Sequence, residues 1–84
     1  MKYSDFEDRG YDDVIILGDA YTEKALLGIS SDRRAVYDFD TLLELYVTEE
    51  GWTQDEAIEW IDINLLGSKI DGKEPIIVFK DYIP

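Results

Sequence analysis

Two helix signals follow one another in the middle of the chain, and they restrict how the segment from Asp40 to Gly67 can fold. The first helix is predicted to begin at Asp40, a suitable N-cap, and to end at Gly51, which suits the left-handed residue after a helix. Its apolar residues recur at helical spacing and form one core face. These residues are Phe39, Leu42, Leu43, Tyr46 and Val47, with Leu45 widening the face.

The second helix has the most specific start signal in the sequence. Thr53 and Glu56 have the spacing of a capping box, and Trp52 before them can pack against Ala57 as a hydrophobic staple. Gly67 is predicted to end this helix. Its predicted core face consists of Ala57, Ile58, Ile61 and Leu65.

Runs rich in β-branched and apolar residues flank the two helices, and turn residues bound them. Strands are predicted at Val14–Leu17, Lys24–Ser30, Arg34–Tyr37 and Pro75–Phe79, with turns at 31–33 and 71–72. The resulting order is β-β-β-α-α-β. The simplest architecture is an α+β domain in which two consecutive helices pack on one face of a small, mainly antiparallel sheet.

The chain is predicted to be a single domain over residues 1–84, because two cores of half this size would be too small. Residues 1–13 are interpreted as an arm that packs through its aromatic rings.

The sequence has no cysteine, so disulfide and thiolate sites are excluded. Its acidic start is unlike a secretory signal, and no apolar run approaches membrane-helix length, so we expect a cytoplasmic protein.

Acidic residues dominate the charge of the chain. Twenty Asp and Glu face eight Lys and Arg, which gives a formal charge of −12. Such a balance opposes binding to nucleic acid or anionic membranes and favours a basic partner, although solubility alone is a sufficient alternative reason for it. No basic residue lies between Arg34 and Lys69. That stretch contains Asp38, Asp40, Glu44, Glu49, Glu50, Asp55, Glu56, Glu59 and Asp62.

Carboxylates are the remaining candidates for catalysis, since the chain lacks both histidine and cysteine. Asp38, Asp40 and Thr41 end a predicted strand in a pattern that resembles the first motif of haloacid-dehalogenase-type phosphatases, whose two carboxylates hold magnesium and attack phosphate. The glycine before the threonine of that motif is missing, and the chain is too short for the family's core. The simpler interpretation is that Asp40 caps the helix and Asp38 supports the turn.

The second helix provides a candidate binding surface. At helical spacing, Asp55, Glu59 and Asp62 lie opposite the core face and succeed one another about 4.5–6 Å apart along the axis, close to the charge spacing of a nucleic-acid backbone. Glu49, Glu50 and Glu56 flank them. Ile63, Trp60 or Trp52 could anchor a partner, but the aromatic arm could also cover Ile63. Trp60 could instead pack at the edge of the core, and Trp52 could instead serve as the staple. Asn64 is interpreted as a half-buried polar residue.

The block from Ala35 to Val78 carries a sequence of short motifs: VYDFD, EEGW, the capping box, EA, WID, Asn64 and PIIV. It resembles a family of small proteins from bacterial phages, prophages and mobile elements that has no established activity. Residues 65–68 depart from that pattern. The resemblance implies an accessory phage protein, and by analogy an acidic inhibitor of host nucleic-acid machinery such as an anti-CRISPR protein.

The leading hypothesis is a non-enzymatic protein without cofactors that binds a basic host or phage protein, a nucleic-acid-handling enzyme or complex, through its acidic helix. It would imitate nucleic acid rather than bind it, and it would not bind membranes. A magnesium-dependent phosphate-handling enzyme using Asp38 and Asp40 is the first alternative. A structural domain that self-associates as a homodimer through an exposed sheet edge is the second.

Overall fold

The computed structural model describes residues 2–66 and 72–80. Its elements are, in chain order, α1 (Asp5–Asp8), a 3₁₀ helix (Ala20–Ala25), β1 (Leu26–Ile29), β2 (Ala35–Asp38), α2 (Phe39–Glu50), α3 (Gln54–Ile61), a π-helical turn (Asp62–Leu66) and β3 (Ile76–Val78). The predicted α+β class is confirmed. No helix in the described part of the chain is long and apolar enough to cross a membrane.

The sheet has three strands in the order β1-β2-β3, with β2 in the centre. β1 pairs with β2 in the antiparallel sense, whereas β3 pairs with β2 in the parallel sense, with Val36 opposite Ile76. The sheet is therefore mixed rather than mainly antiparallel. The parallel pair follows from the connection, because the two helices between β2 and β3 bring the chain back to the same end of the sheet.

The strand predicted at Val14–Leu17 is wrong, since this segment is irregular. Val14 and Leu17 are nevertheless buried in the core. The backbone N–H of Val14 donates to the carbonyl of Tyr11, and that of Leu17 donates to the hydroxyl of Tyr37, so neither takes part in a strand ladder. The apolar run indicates burial in the core. Hydrophobic periodicity alone does not distinguish a buried irregular segment from a strand.

The hairpin formed by β1 and β2 is confirmed, with a later start than predicted because the 3₁₀ helix includes Lys24 and Ala25. Its turn closes through a hydrogen bond from the N–H of Ser30 to the carbonyl of Arg34, at 2.8 Å. Arg33 has a φ of 64° in this turn. The turn residues therefore form a tight reversal in which a non-glycine residue is left-handed.

The N-cap of α2 is Asp38, not Asp40 as predicted, because the helix already begins at Phe39. The Asp38 carboxylate accepts hydrogen bonds from the backbone N–H and the hydroxyl of Thr41, at 3.2 and 2.6 Å. Asp40 is exposed in the first turn. Gly51 ends the helix in the left-handed conformation, with a φ of 74°. The predicted core face is confirmed, with Leu42, Leu43, Leu45 and Tyr46 buried.

The capping box of α3 is confirmed in both directions. The N–H of Glu56 donates to the Thr53 hydroxyl at 3.2 Å, and the N–H of Thr53 donates to the Glu56 carboxylate at 2.9 Å. Ala57 and Ile61 are buried as predicted, whereas Ile58 is 40% exposed. The helix packs against α2 on the side of Trp60, and this leaves Ile58 at the opposite border. The predicted stop at Gly67 lies outside the described residues.

The N-terminal arm packs through its rings, as predicted. Phe6 is buried and makes edge-to-face contacts with Tyr3 and Tyr11. The Arg33 side chain ties the arm to the hairpin, because it forms an ion pair with Asp13 and lies over the Tyr11 ring, 5.3 Å from its centroid. The arm therefore covers the hairpin side of the core.

Candidate functional site

The acidic residues of the second helix are exposed in the structure. Asp55, Glu59 and Asp62 lie on α3 and at the start of the π-helical turn, and we call them the acidic stripe. Within residues 2–66 and 72–80, no ion pair reaches any of the three. Their charges therefore face solvent and are accessible to a binding partner.

Several cations of the described chain are engaged elsewhere. Arg34 lies 3.1 Å from Asp32 and 3.4 Å from Glu74, each distance joining a guanidinium nitrogen to a carboxylate oxygen. Lys80 Nζ lies 3.8 Å from Asp38 Oδ1, and Arg33 pairs with Asp13. These ion pairs lie on the hairpin and beside β3. The cations that form them therefore do not neutralise the acidic stripe.

Three aromatic rings pack beside the stripe, and we call them the aromatic cluster. The ring centroids of Trp52 and Trp60 lie 5.5 and 4.9 Å from that of Tyr46 and 5.9 Å from each other. Tyr46 is 2% exposed, whereas both indoles are only partly buried. The Trp52 indole thus packs on Tyr46 and Trp60.

A groove with a volume of about 330 Å³ opens on this cluster. Its lining consists of Trp52, Glu56, Glu59, Trp60, Ile63 and Asn64. It therefore combines aromatic walls with two carboxylates, one of which belongs to the acidic stripe. We call it the aromatic groove.

The Glu56 carboxylate has a structural task as well, since it completes the capping box. Hydrogen bonds from the backbone and side chain of Thr53 lower the pKa of Glu56, so it is held in the charged form. In the described residues no such contact ties down Glu59, which lies almost one turn further along α3. Glu59 is the freer of the two carboxylates in the groove.

The π-helical turn sets the far end of the groove. Asn64 is exposed rather than half-buried, and its amide Nδ2 donates to the carbonyl of Trp60 at 3.0 Å. Ile63 is 61% exposed, so the N-terminal arm does not cover it. The arm instead contacts the hairpin and the 3₁₀ helix. π-Helical turns inside helices frequently coincide with functional sites.

The structure places Glu49 and Glu50 at the end of α2, outside the lining of the groove. Glu49 is exposed. Glu50 accepts a hydrogen bond from the hydroxyl of Tyr21 at 2.8 Å, and burial together with this bond raises the pKa of Tyr21. Glu50 therefore stabilises the contact between α2 and the 3₁₀ helix.

Asp38 and Asp40 do not converge on a common point. Asp38 is buried as the cap of α2, with one carboxylate oxygen on Thr41 and the other near Lys80, while Asp40 is exposed. In the described ranges no three acidic residues come together in a group that could hold a metal ion. The structure thus gives Asp38 a structural role.

Asn64 is the lining residue that sequence reasoning misses, since it is interpreted as a half-buried polar residue and not as part of a site. For Trp52 the sequence favours packing over a role as a partner anchor, and the structure shows that Trp52 packs and also lines the groove. The available signal was the spacing of Trp52, Glu56, Trp60 and Ile63, since residues three or four apart share one side of a helix. The π-helical turn that orients Ile63 and Asn64 has no comparable sequence signal.

No protein-family model, no curated protein and no solved structure matches this chain. The resemblance to small phage and mobile-element proteins therefore stays a hypothesis. The site has to be interpreted from its own chemistry.

Proposed function

We propose that this chain is a non-enzymatic binding protein whose acidic stripe engages a basic surface of another protein. The observation that carries the proposal is the combination at α3 of three exposed carboxylates that lack cation partners in the described chain with an isoleucine that is 61% exposed. Uncompensated charge steers a basic partner, and an exposed apolar residue beside it provides an anchor.

The partner class follows from the charge. A net charge of −12 repels nucleic acid and anionic membranes and attracts proteins that bind nucleic acid, because those proteins expose basic surfaces. The stripe has carboxylates at intervals of about 4.5–6 Å along the axis, so it could occupy a groove built for phosphates. The resemblance to phage proteins favours the same role, an inhibitor of host nucleic-acid machinery by analogy with anti-CRISPR proteins.

The test is charge reversal within the acidic stripe. The variant Asp55→Lys, Glu59→Lys and Asp62→Lys should keep the circular dichroism spectrum of the wild type, since all three side chains are exposed. Both proteins are immobilised and exposed to a bacterial lysate, and bound proteins are eluted with rising salt. Basic nucleic-acid-binding proteins should be recovered by the wild type and lost by the variant.

The matched control reverses three exposed acids far from α3 in sequence, through Glu7→Lys, Asp8→Lys and Asp12→Lys. The change in net charge is identical, so only the location differs. The control should retain the partner, and duplex DNA should displace the purified partner from the wild type. If both triple variants lose the partner equally, net charge rather than the stripe is responsible, and the proposal fails.

A further inference from the structure

The aromatic groove has a chemistry that the acidic stripe alone does not have. Its walls are two indole rings whose centroids lie 5.9 Å apart and are inclined by 44°, supported from below by the buried ring of Tyr46. Carboxylates of Glu56 and Glu59 lie at the same groove, next to Ile63. The two carboxylates repel an anionic ligand, and a purely apolar ligand would leave them without a partner. The groove suits a flat or elongated cation with an apolar stem.

We propose that the aromatic groove is the binding site for an arginine side chain presented by the basic partner. This inference rests on the proposed function and adds to it the side chain that the partner must supply. The guanidinium stacks on an indole face and donates to the Glu59 carboxylate, while the aliphatic stem packs against the exposed part of Ile63. The groove, at about 330 Å³, is at the small end of ligand sites, which fits one long side chain.

Arginine fits better than lysine for two physical reasons. The guanidinium is planar, so it can stack against the outer face of one indole, and it is more weakly hydrated than an ammonium group. Its fork of N–H donors can pair with two acceptors at once, and Asn64, which also lines the groove, has a side-chain oxygen as a further acceptor while its Nδ2 donates to Trp60. An ammonium group would lose more hydration on entry for fewer contacts.

The two tryptophans of the chain both lie in the groove, and this provides a direct assay. The chain is labelled with ¹⁵N, and the two indole N–H signals are followed by NMR while a peptide is added. Three peptides are compared: acetyl-Gly-Gly-Arg-Gly-Gly-amide and its relatives with lysine or citrulline in place of arginine. Citrulline has nearly the shape of arginine without its charge.

The arginine peptide should shift both indole signals in a saturable manner, with the lysine peptide binding at least about threefold more weakly, corresponding to at least about 0.6 kcal/mol. The citrulline peptide should give no saturable shift. Equal binding of all three peptides, or shifts that avoid the indoles, would overturn the proposal.

Two matched variants separate the groove from the surrounding charge. Glu59→Gln should weaken the arginine peptide about fivefold, the upper range for one exposed charge pair. Glu44→Gln removes an equal charge from an exposed position on α2, outside both the groove lining and the acidic stripe, and should change the affinity less than twofold. Equal effects of the two changes would mean diffuse attraction and would overturn the groove assignment. The proposed function is tested separately, by whether the wild type recovers the protein partner and the triple lysine variant of the acidic stripe loses it.

Discussion

The hydroxyl groups of Tyr3 and Tyr37 lie 2.6 Å apart, where the N-terminal arm meets the central strand. The Thr22 hydroxyl donates to the carbonyl of Asp19, so Tyr3 must donate to Thr22, and Tyr37 in turn donates to Tyr3. Tyr37 also accepts from the N–H of Leu17, at 3.1 Å. The hydrogen bonds therefore form a chain with one direction, which joins the arm, β2 and the 3₁₀ helix.

Tyr37→Phe should destabilise the fold by about 1–3 kcal/mol, because it leaves the buried N–H of Leu17 without an acceptor and removes the hydrogen bond that Tyr37 donates to Tyr3. Denaturant melts measure the loss. Tyr11→Phe is the matched control, since the structure shows no hydrogen bond to the Tyr11 hydroxyl among the described residues, and it should change stability by less than about 0.5 kcal/mol. Equal losses would mean that the ring environments, and not this chain of hydrogen bonds, determine the effect.

Alkaline pH should unfold the protein cooperatively. Burial raises the pKa of Tyr3, Tyr37 and Tyr46 above the ordinary tyrosine value of about 10. The folded state thus holds protons that the unfolded state releases, so this stability is complete below pH ~10 and is lost as the pH rises toward the folded pKa values. Tyrosinate absorbance from these residues should appear together with the loss of the circular dichroism signal. Full ionisation in a folded chain would contradict this expectation.

Thr53→Ala should cost about 1 kcal/mol, because the N–H of Glu56 loses its acceptor at the start of α3. Thr53→Ser keeps the hydroxyl and should retain most of the wild-type stability. Urea melts of the wild type and the two variants measure the free energies of unfolding. If the serine variant is as unstable as the alanine variant, the methyl group of Thr53 matters and its hydroxyl does not.

Asp38→Ala should lower the free energy of unfolding by about 1–2 kcal/mol, because Asp38 caps α2. Asp40→Ala should change it by less than about 0.5 kcal/mol, because Asp40 is exposed.

Thermal melts with magnesium and with a sodium control of matched ionic strength test the enzymatic alternative. A rise in Tm that is specific to magnesium and absent in Asp38→Asn would favour the phosphate-handling function over the binding function.

The features that could be predicted from the sequence are the local ones. Thr53 and Glu56 form their capping box within a single turn, so residue type and spacing are sufficient to predict it. The same holds for Gly51, whose position after an apolar helical pattern indicates a left-handed residue. The hairpin turn at 31–33 was also accessible, because its residues favour tight reversals.

The features that could not be predicted depend on distant partners. The apolar neighbours of Leu17 predict a strand, but its N–H donates to the hydroxyl of Tyr37, twenty residues away. The parallel pairing of β3 likewise depends on how the helix pair returns the chain. Asp38 and Asp40 are both good caps by residue type, and the start of α2 at Phe39 selects Asp38.

The candidate site shows the same division. The acidic stripe follows from helical spacing, since Asp55, Glu59 and Asp62 were placed on one side and are exposed. The groove beside it does not follow, because it needs the tertiary contact of Trp52 and Trp60 with Tyr46 on another helix. It also needs the π-helical turn, which places Ile63 and Asn64.

The parallel register of Val36 with Ile76 has a consequence for the kinetics of folding. The antiparallel hairpin closes a short loop, whereas the β2–β3 pair closes a loop that contains both α2 and α3. Closing the longer loop costs more chain entropy, so we expect the hairpin to form early and β3 to dock last. Until it docks, the free edge of β2 is exposed to other chains, and refolding yield should therefore fall as protein concentration rises.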